Sequence, residues 1–554
     1  MKAKSRKKFK LDFWTSISIL CFLVFVVFLI YPMFTLFVQS FKDVENGTFT
    51  LKNFAQFFSK KYYYQTLINS FVVTILVTIL AILIGAPLAY IMSTSKIRFK
   101  SLVEVLIILS VLSPPFIGAY SWILLLGRNG VVTKFLSNTF GFQVPSIYGF
   151  TGILLVFTLK LFPYIYMYVS GALKKMDASL GEAAESLGCN GIRKVATIIL
   201  PLITPTILAG SLLVFMNCLA DFGTPMLIGE GYRTMPVLIY SEFISEVGGQ
   251  ANFAAALSVL MILITSVIFI GQKYVVNKKS YVMSSLKPIQ PKKLKGYKNV
   301  LAHLYVYVVV GLAIIPQATV IYTSFLKTRG SMFVREFSLN SYKTVLNKLG
   351  SSIANTYTYG IIAIFIIVLL GMFISYVSVR KKNMFTSLLD TITMFPYIIP
   401  GSVLGITLLL AFNKKPLAIA GTFAIIVVVY VIRRLPYTIR SSAAILYQLS
   451  PSVEEASISL GYSPMKTFFK VTAVMMLPGV LSGAILSWIT VINELSASVI
   501  LYTGKTRTMS VAIYTEVIRA SYGTAAALST ILTATTIISL LIFFKLSGKK
   551  EISL

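Results

Sequence analysis

Twelve long apolar stretches dominate this sequence. A helix needs about 20 mostly apolar residues to cross the hydrocarbon core of a bilayer. Stretches of that kind lie near residues 13–38, 66–93, 101–127, 148–172, 196–220, 252–273, 299–325, 352–379, 384–412, 416–438, 468–495 and 524–546. Helices satisfy their backbone groups within the segment, as hydrocarbon requires. The prediction is therefore an all-α polytopic membrane protein with about 12 transmembrane helices. Internal prolines such as Pro32, Pro87 and Pro316 are compatible with spanning helices whose neighbours re-satisfy the backbone. Composition agrees. The 554 residues are 56% hydrophobic and 12% charged, against about 25% charged in soluble chains. A soluble enzyme is excluded, and so is disorder, which needs low hydrophobicity.

The formal charge of +32, from 50 basic and 18 acidic residues, has a topological explanation. Basic residues collect in cytoplasmic loops and set orientation. Lys2, Lys4, Arg6, Lys7, Lys8 and Lys10 precede the first stretch. It is too long for a signal core and no small-residue cleavage site follows, so it reads as a retained anchor. Lys96–Lys100, Arg380–Lys382 and Lys549–Lys550 are basic too, and Lys273 to Lys298 holds eight lysines and no acid. These segments alternate correctly if both termini and the central linker are cytoplasmic. The opposite loops hold Asp43, Glu45, Glu230, Glu242 and Glu246. The lipid bilayer is thus the partner the charge implies, and no nucleic acid is needed.

Metal and nucleophile chemistry have little to work with. Cys21, Cys189 and Cys218 are scattered, and His303 is the single histidine. No disulfide framework or zinc spacing results, and His303 reads as an interfacial residue. The aromatic residues, including Tyr62-Tyr63-Tyr64 before the second stretch, read mainly as interface belts and packing.

The chain repeats itself. Phe162-Pro163-Tyr164 matches Leu435-Pro436-Tyr437 at an offset of 273. Ala178 to Ala184 matches Pro451 to Ser457, and Ser186-Leu187-Gly188 matches Ser459-Leu460-Gly461, at the same offset. Arg233-Thr234-Met235 through Tyr240 matches Arg507-Thr508-Met509 through Tyr514 at 274, and Ala254–Ser258 matches Ala525–Ser529 at 271. Asn69-Ser70 and Gly85 to Tyr90 pair with Asn355-Thr356 and Gly371 to Tyr376 at 286. The expected organisation is two six-helix halves, 1–273 and 299–554, joined by a basic linker at 274–298. Because six is even, the halves share one orientation and form a parallel repeat enclosing a path.

The most specific feature follows the fourth stretch of each half, in loops 174–195 and 447–468. The first reads Glu182-Ala183-Ala184-Glu185-Ser186-Leu187-Gly188, then Leu200-Pro201 and Pro205; the second reads Glu455-Ala456-Ser457-Ile458-Ser459-Leu460-Gly461, ending at Leu477-Pro478. Each predicts a short loop helix. Small Ala and Ser allow close approach, Gly188 and Gly461 suit a helix C-cap, and Glu182 and Glu455 are expected near the helix start, where carboxylates favour the dipole.

This doubled pattern resembles the coupling motif of ABC importer permeases of the binding-protein-dependent type, and the resemblance covers nearly the whole chain. The second copy departs in Ser457 and in Ala473-Val474, which stand where the first has Ala184 and Leu200-Pro201. The resemblance implies a type I permease fold. It also implies that Glu182, Ala183, Ala184 and Gly188, with Glu455, Ala456, Ser457 and Gly461, transmit motion from ATP-binding-cassette ATPase subunits, two copies in all. An extracytoplasmic solute-binding protein would deliver cargo to a cytoplasmic-membrane permease. The chain itself is expected to be non-catalytic and to bind no cofactor. Gly504-Lys505-Thr506 ends like a nucleotide-binding loop, but Val499 replaces the first glycine that such a loop needs. ATP would be used by a separate polypeptide.

Asp221 and Glu494 hold equivalent positions at the outer ends of the fifth and eleventh stretches. Ionisable groups at membrane depth are costly and face a pathway or a partner. They are candidates for the substrate path or a gate, with Arg233 and Arg507 as expected ion-pair partners. The stretch Asp221-Phe222-Gly223-Thr224-Pro225 resembles fused permeases for ferric iron and for 2-aminoethylphosphonate. The resemblance implies ferric iron first, with phosphonates, phosphorylated sugars or polyamines as alternatives, and hard oxygen ligands suit Fe(III). No metal ligand set is assigned. Twelve helices in two parallel halves also suit a secondary transporter; the doubled Glu-Ala motif argues against one.

Overall fold

The computed structural model describes residues 13–43, 46–111, 117–142, 145–245, 250–278, 287, 289–330 and 332–547. The N-terminal basic cluster Lys2–Lys10, Glu45, Glu246, linker residues 279–286 and 288, and Lys549–Lys550 lie outside the described residues. Among the described residues the chain is all-α apart from one hairpin, Leu326–Arg329 paired antiparallel with Met332–Phe337. Ten long helices carry the architecture. In the first half they are α1 (Phe13–Ser40), α2 (Lys61–Thr94), α3 (Phe150–Lys174), α4 (Gly191–Ala220) and α5 (Ala251–Lys278). In the second they are α6 (Tyr297–Ser324), α7 (Asn340–Arg380), α8 (Phe423–Gln448), α9 (Pro464–Ile492) and α10 (Tyr522–Ser547).

Among the described residues, nine helices are long and apolar enough to cross a membrane, or ten if one bent pair is a single span. The expectation of twelve differs at three places. In the third stretch Lys100–Val111 and Ile117–Leu126 are helical, and residues 112–116 lie outside the described residues. The ninth is the bent pair, Met384–Ile398 and Gly401–Phe412, turned by 112°. The bend falls at Ile399-Pro400: proline lacks a backbone donor and biases the preceding residue towards extended backbone, and Ile399 has ψ 126°. The tenth, α8, holds Arg433, Arg434 and Arg440 and fails on charge rather than length.

Each half has a three-helix core, α2 with α3 and α4, and α7 with α8 and α9. The repeated glycines sit where these helices touch. A Cβ on Gly85 would lie 2.6 Å from the Phe162 carbonyl oxygen, and one on Gly371 would lie 2.8 Å from Thr438 Cγ2. Other matched residues bond one another. Asn69 Nδ2 donates to the Arg233 carbonyl and Ser70 Oγ accepts from Met235 N; Asn355 Nδ2 donates to the Arg507 carbonyl and Thr356 Oγ1 accepts from Met509 N. Equivalent π-turns, Val195–Ile199 and Phe468–Thr472, follow the first turn of α4 and α9.

The halves interlock through their first helices. α1 packs on α7 and on Gly401–Phe412 of the other half, with Trp14 between Tyr376 and Phe468 at ring distances of 4.3 and 5.0 Å. In exchange, α6 packs on Lys100–Val111 and Ile117–Leu126. Tyr305 donates to the Ile84 carbonyl at 2.9 Å and Tyr307 to the Arg98 carbonyl at 2.8 Å. His303 takes part in this seam, accepting from Arg98 N at 3.3 Å. At the pseudo-twofold axis the equivalent hydroxyls of Tyr240 and Tyr514 are 3.4 Å apart.

Candidate functional site: two loop helices and a charged seam

The two motif segments form helices Ala178–Ser186 and Ser452–Ser459. Gly188 and Gly461 follow them with φ of +78° and +90°, the left-handed region that closes a helix C-terminus. Cys189 N bonds back to the Ala184 carbonyl, and Tyr462 N to the Ser457 carbonyl. Ala184 and Ser457 are buried against the body, and Ser457 Oγ bonds Thr467 Oγ1 at 3.0 Å. The opposite side is open. Leu187 and Ile192 are 87% and 88% exposed, and the equivalent Leu460 is 82% exposed.

One expectation is corrected. Glu182 lies past the first turn of its helix, which contains no acid. The helix is capped five residues before Glu182, at Asp177, whose carboxylate accepts from Ser179 N. Glu455 does lie in the first turn of its helix, beside Glu454.

Different devices hold the two helices to the body. Lys287, from the central linker, donates to both carboxylate oxygens of Glu182 at 2.8 Å, and its carbonyl accepts from Ala178 N. In the second half, Arg380 at the end of α7 donates to Glu454 at 2.9 Å, and Tyr376 adds a bond at 3.0 Å. Glu185 is hydrogen-bonded by Lys194, which holds its carboxyl below the usual range. Glu455 and Ala456 belong to the same helix as Ser457. Lys292 of the linker exchanges backbone bonds with Thr94 and Lys96, so the linker also touches the loop after α2.

Asp221 and Glu494 end α4 and α9, and each has partners of the same two kinds, basic side chains and a backbone N–H. Asp221 pairs with Lys160 of α3 at 2.7 Å and accepts from Thr224 N at 3.0 Å. Glu494 pairs with Arg433 and Arg434 of α8 and accepts from Ala497 N at 3.1 Å. Lys160 and Arg433 share the 273-residue offset of the repeat, as do Thr224 and Ala497. The carboxylate therefore fastens the turn that follows each helix to the middle of a neighbouring helix.

The expected partners Arg233 and Arg507 are elsewhere. Arg233 lies over the Tyr62 ring at 5.3 Å, and Arg507 Nε donates to Ser352 at 3.3 Å. Their loops turn away from the acids because their backbone is tied to Asn69 and Asn355 of α2 and α7. Sequence reasoning missed Lys160, Arg433 and Arg434. The signal was present: basic residues inside otherwise apolar runs, at the offset already found.

A cavity lies between the halves beside this second pair, walled by Asn217 and Ala220 of α4 and by Tyr397, Arg433, Arg434 and Tyr437. Among the described residues no group of three or more His, Cys, Asp or Glu is placed to hold a metal ion.

Comparison with known proteins matches the chain to the family described as binding-protein-dependent transport system inner membrane component, at residues 81–281 and again at 367–551. The two matches start at the 286-residue offset of the upstream repeat. The ferric transport system permease protein FbpB of Actinobacillus pleuropneumoniae is 31% identical, covering 100% of this chain and 80% of that protein. FbpB 1 of Haemophilus influenzae, also named for ferric transport, is 30% identical over 90% of this chain and 79% of its own length. PhnU of Salmonella typhimurium, named for 2-aminoethylphosphonate transport, is 25% identical over 36% of this chain and 72% of its own length. With full-length relatives and one domain match beginning in each half, the chain belongs to the family of binding-protein-dependent transport system inner membrane components, and is a fused, multi-pass ABC transporter permease.

Proposed function

We propose that the chain forms the membrane path of an ATP-driven importer for ferric iron. The observation that carries the iron reading is the full-length similarity to permeases named for ferric transport. Coupling is carried by the loop helices: two equivalent sites expose an apolar residue, Leu187 or Leu460, beside a left-handed glycine. Exposed apolar residues at matched positions suit a partner groove. The partner is a separate ATPase, present in two copies, and the chain itself binds no nucleotide or cofactor. An extracytoplasmic binding protein presents the solute at the opposite face.

Both termini and the linker are cytoplasmic in this reading. Its support is that Lys287 and Lys292 of the linker meet the first loop helix and the basic loop after α2, so the linker, that loop and the loop helix share one side. Asp221 and Glu494 line or gate the path together with Lys160, Arg433 and Arg434. The second reading within the same class is a 2-aminoethylphosphonate importer, favoured by the two arginines at the cavity. Uptake of 55Fe(III) in a deletion strain tests the choice. Iron uptake that returns on complementation supports iron. Restored phosphonate uptake with no iron uptake supports the second reading.

A further inference from the structure

The two equivalent ion pairs differ in charge. Lys160 and Asp221 are one cation and one acid, but Arg433 and Arg434 share the single acid Glu494. The surplus cation is Arg434, and the equivalent position in the first half is Leu161. Arg434 Nε is buried with no hydrogen-bond partner among the described residues. An unbalanced cation inside a membrane protein is costly and marks a pathway or a partner, and here an apolar residue serves the equivalent position.

Arg434 also walls the cavity between the halves, across from Asn217 and Ala220. Tyr397, Tyr437 and Asn217, whose Nδ2 donates to the Leu213 carbonyl at 2.8 Å, also line it. The free space is about 50 Å³; on the same measure one water needs about 10–15 Å³, so a few waters, one small oxyanion, or one phosphate or carboxylate group projecting from a larger complex fits. Guanidinium groups present forked donors that match carboxylate and phosphate oxygens. A bare trivalent cation would be repelled by the surplus charge, whereas an oxyanion would balance it.

We propose that this cavity is an oxyanion site on the transport path, taking phosphate or carboxylate oxygens either free or as ligands already on Fe(III). The inference rests on the reading that the path runs between the halves. It changes what crosses there: ferric iron moves within an anionic oxygen complex.

The test is equilibrium dialysis of the purified full-length chain in nanodiscs, against [32P]phosphate and separately against 55Fe(III)-citrate. At least one probe should bind saturably. Phosphate binding alone identifies a free oxyanion, and binding of ferric citrate alone identifies an iron-borne one. Arg434→Gln leaves Arg433 and Glu494 as a one-to-one pair like that of the first half, and should weaken binding roughly tenfold or more. Asn217→Asp adds a negative charge on the opposite wall without touching the ion pair and should weaken binding likewise. No saturable binding of either probe overturns the proposal, and so does wild-type affinity in Asn217→Asp. Iron uptake that persists in cells alongside either negative result would refute this site while leaving the importer reading intact.

Discussion

Replacing Glu494 with Gln keeps its volume and removes the charge that balances two arginines. Glu494 is 2% exposed and accepts from Arg433, Arg434 and Ala497 N. Stripping one partner from a buried pair costs about 3–5 kcal/mol, because the remaining charge is left without compensation. Here two guanidiniums are left, so the upper half of that range applies. Asp221→Asn is the internal control. Its pair is partly open, with Lys160 and Asp221 side chains 26% and 18% exposed, and only one cation is released. A lost charge-assisted bond of this kind costs about 1.5–3 kcal/mol. The assay is SDS-titrated unfolding of the purified chain followed by circular dichroism. Glu494→Gln should cost more than Asp221→Asn, by about 1–3.5 kcal/mol, and adding Arg434→Gln should recover part of the loss. Equal losses, or no loss in Glu494→Gln, would refute the reasoning that the second pair is the buried and overcharged one.

Three further outcomes are expected. A Cβ added at Gly188 or Gly461 meets no atom within 4 Å, so the main effect of Gly188→Val with Gly461→Val is backbone strain, about 1–2 kcal/mol at each left-handed site; folding should survive while stimulation of the partner ATPase is lost, and the Asn pair should retain it. Leu187→Asp with Leu460→Asp alters residues more than 80% exposed, so the unfolding midpoint should stay put while co-purification of the ATPase falls. Gly85→Ala should destabilise more than Gly371→Ala in the same SDS titration, because its new Cβ meets the Phe162 backbone carbonyl at 2.6 Å, whereas Gly371 faces the Thr438 side chain, which can rotate.

Much of the fold was legible because its signals are local. Apolar runs announce helices wherever they occur, and the repeat marked Gly85, Gly371, Asn69 and Asn355 before any contact was known. Those residues are the ones at helix crossings and loop anchors. The failures involve partners distant in sequence. Arg233 is twelve residues from Asp221, so proximity suggested a pair, but α3 brings Lys160 to the acid across 61 residues. The exchange of α1 and α6 between halves left no trace in hydropathy, because either half offers an equally apolar surface. Asp177 caps the first loop helix from outside the repeated motif, five residues before Glu182, so the repeat carries no mark of it. At Pro400 the breaker was visible, yet the apolar run on both sides read as one span.

The central proposal is that this permease moves ferric iron along a path between its halves, driven through the two loop helices by a separate ATPase. It is tested most directly by 55Fe(III) uptake in a deletion strain carrying either the wild-type chain or the Gly188→Val, Gly461→Val double variant, at matched membrane levels. The account predicts energised uptake with the wild type and uptake at the deletion background with the variant. Equal uptake by both chains, or none by the wild type where no other iron system operates, would contradict it.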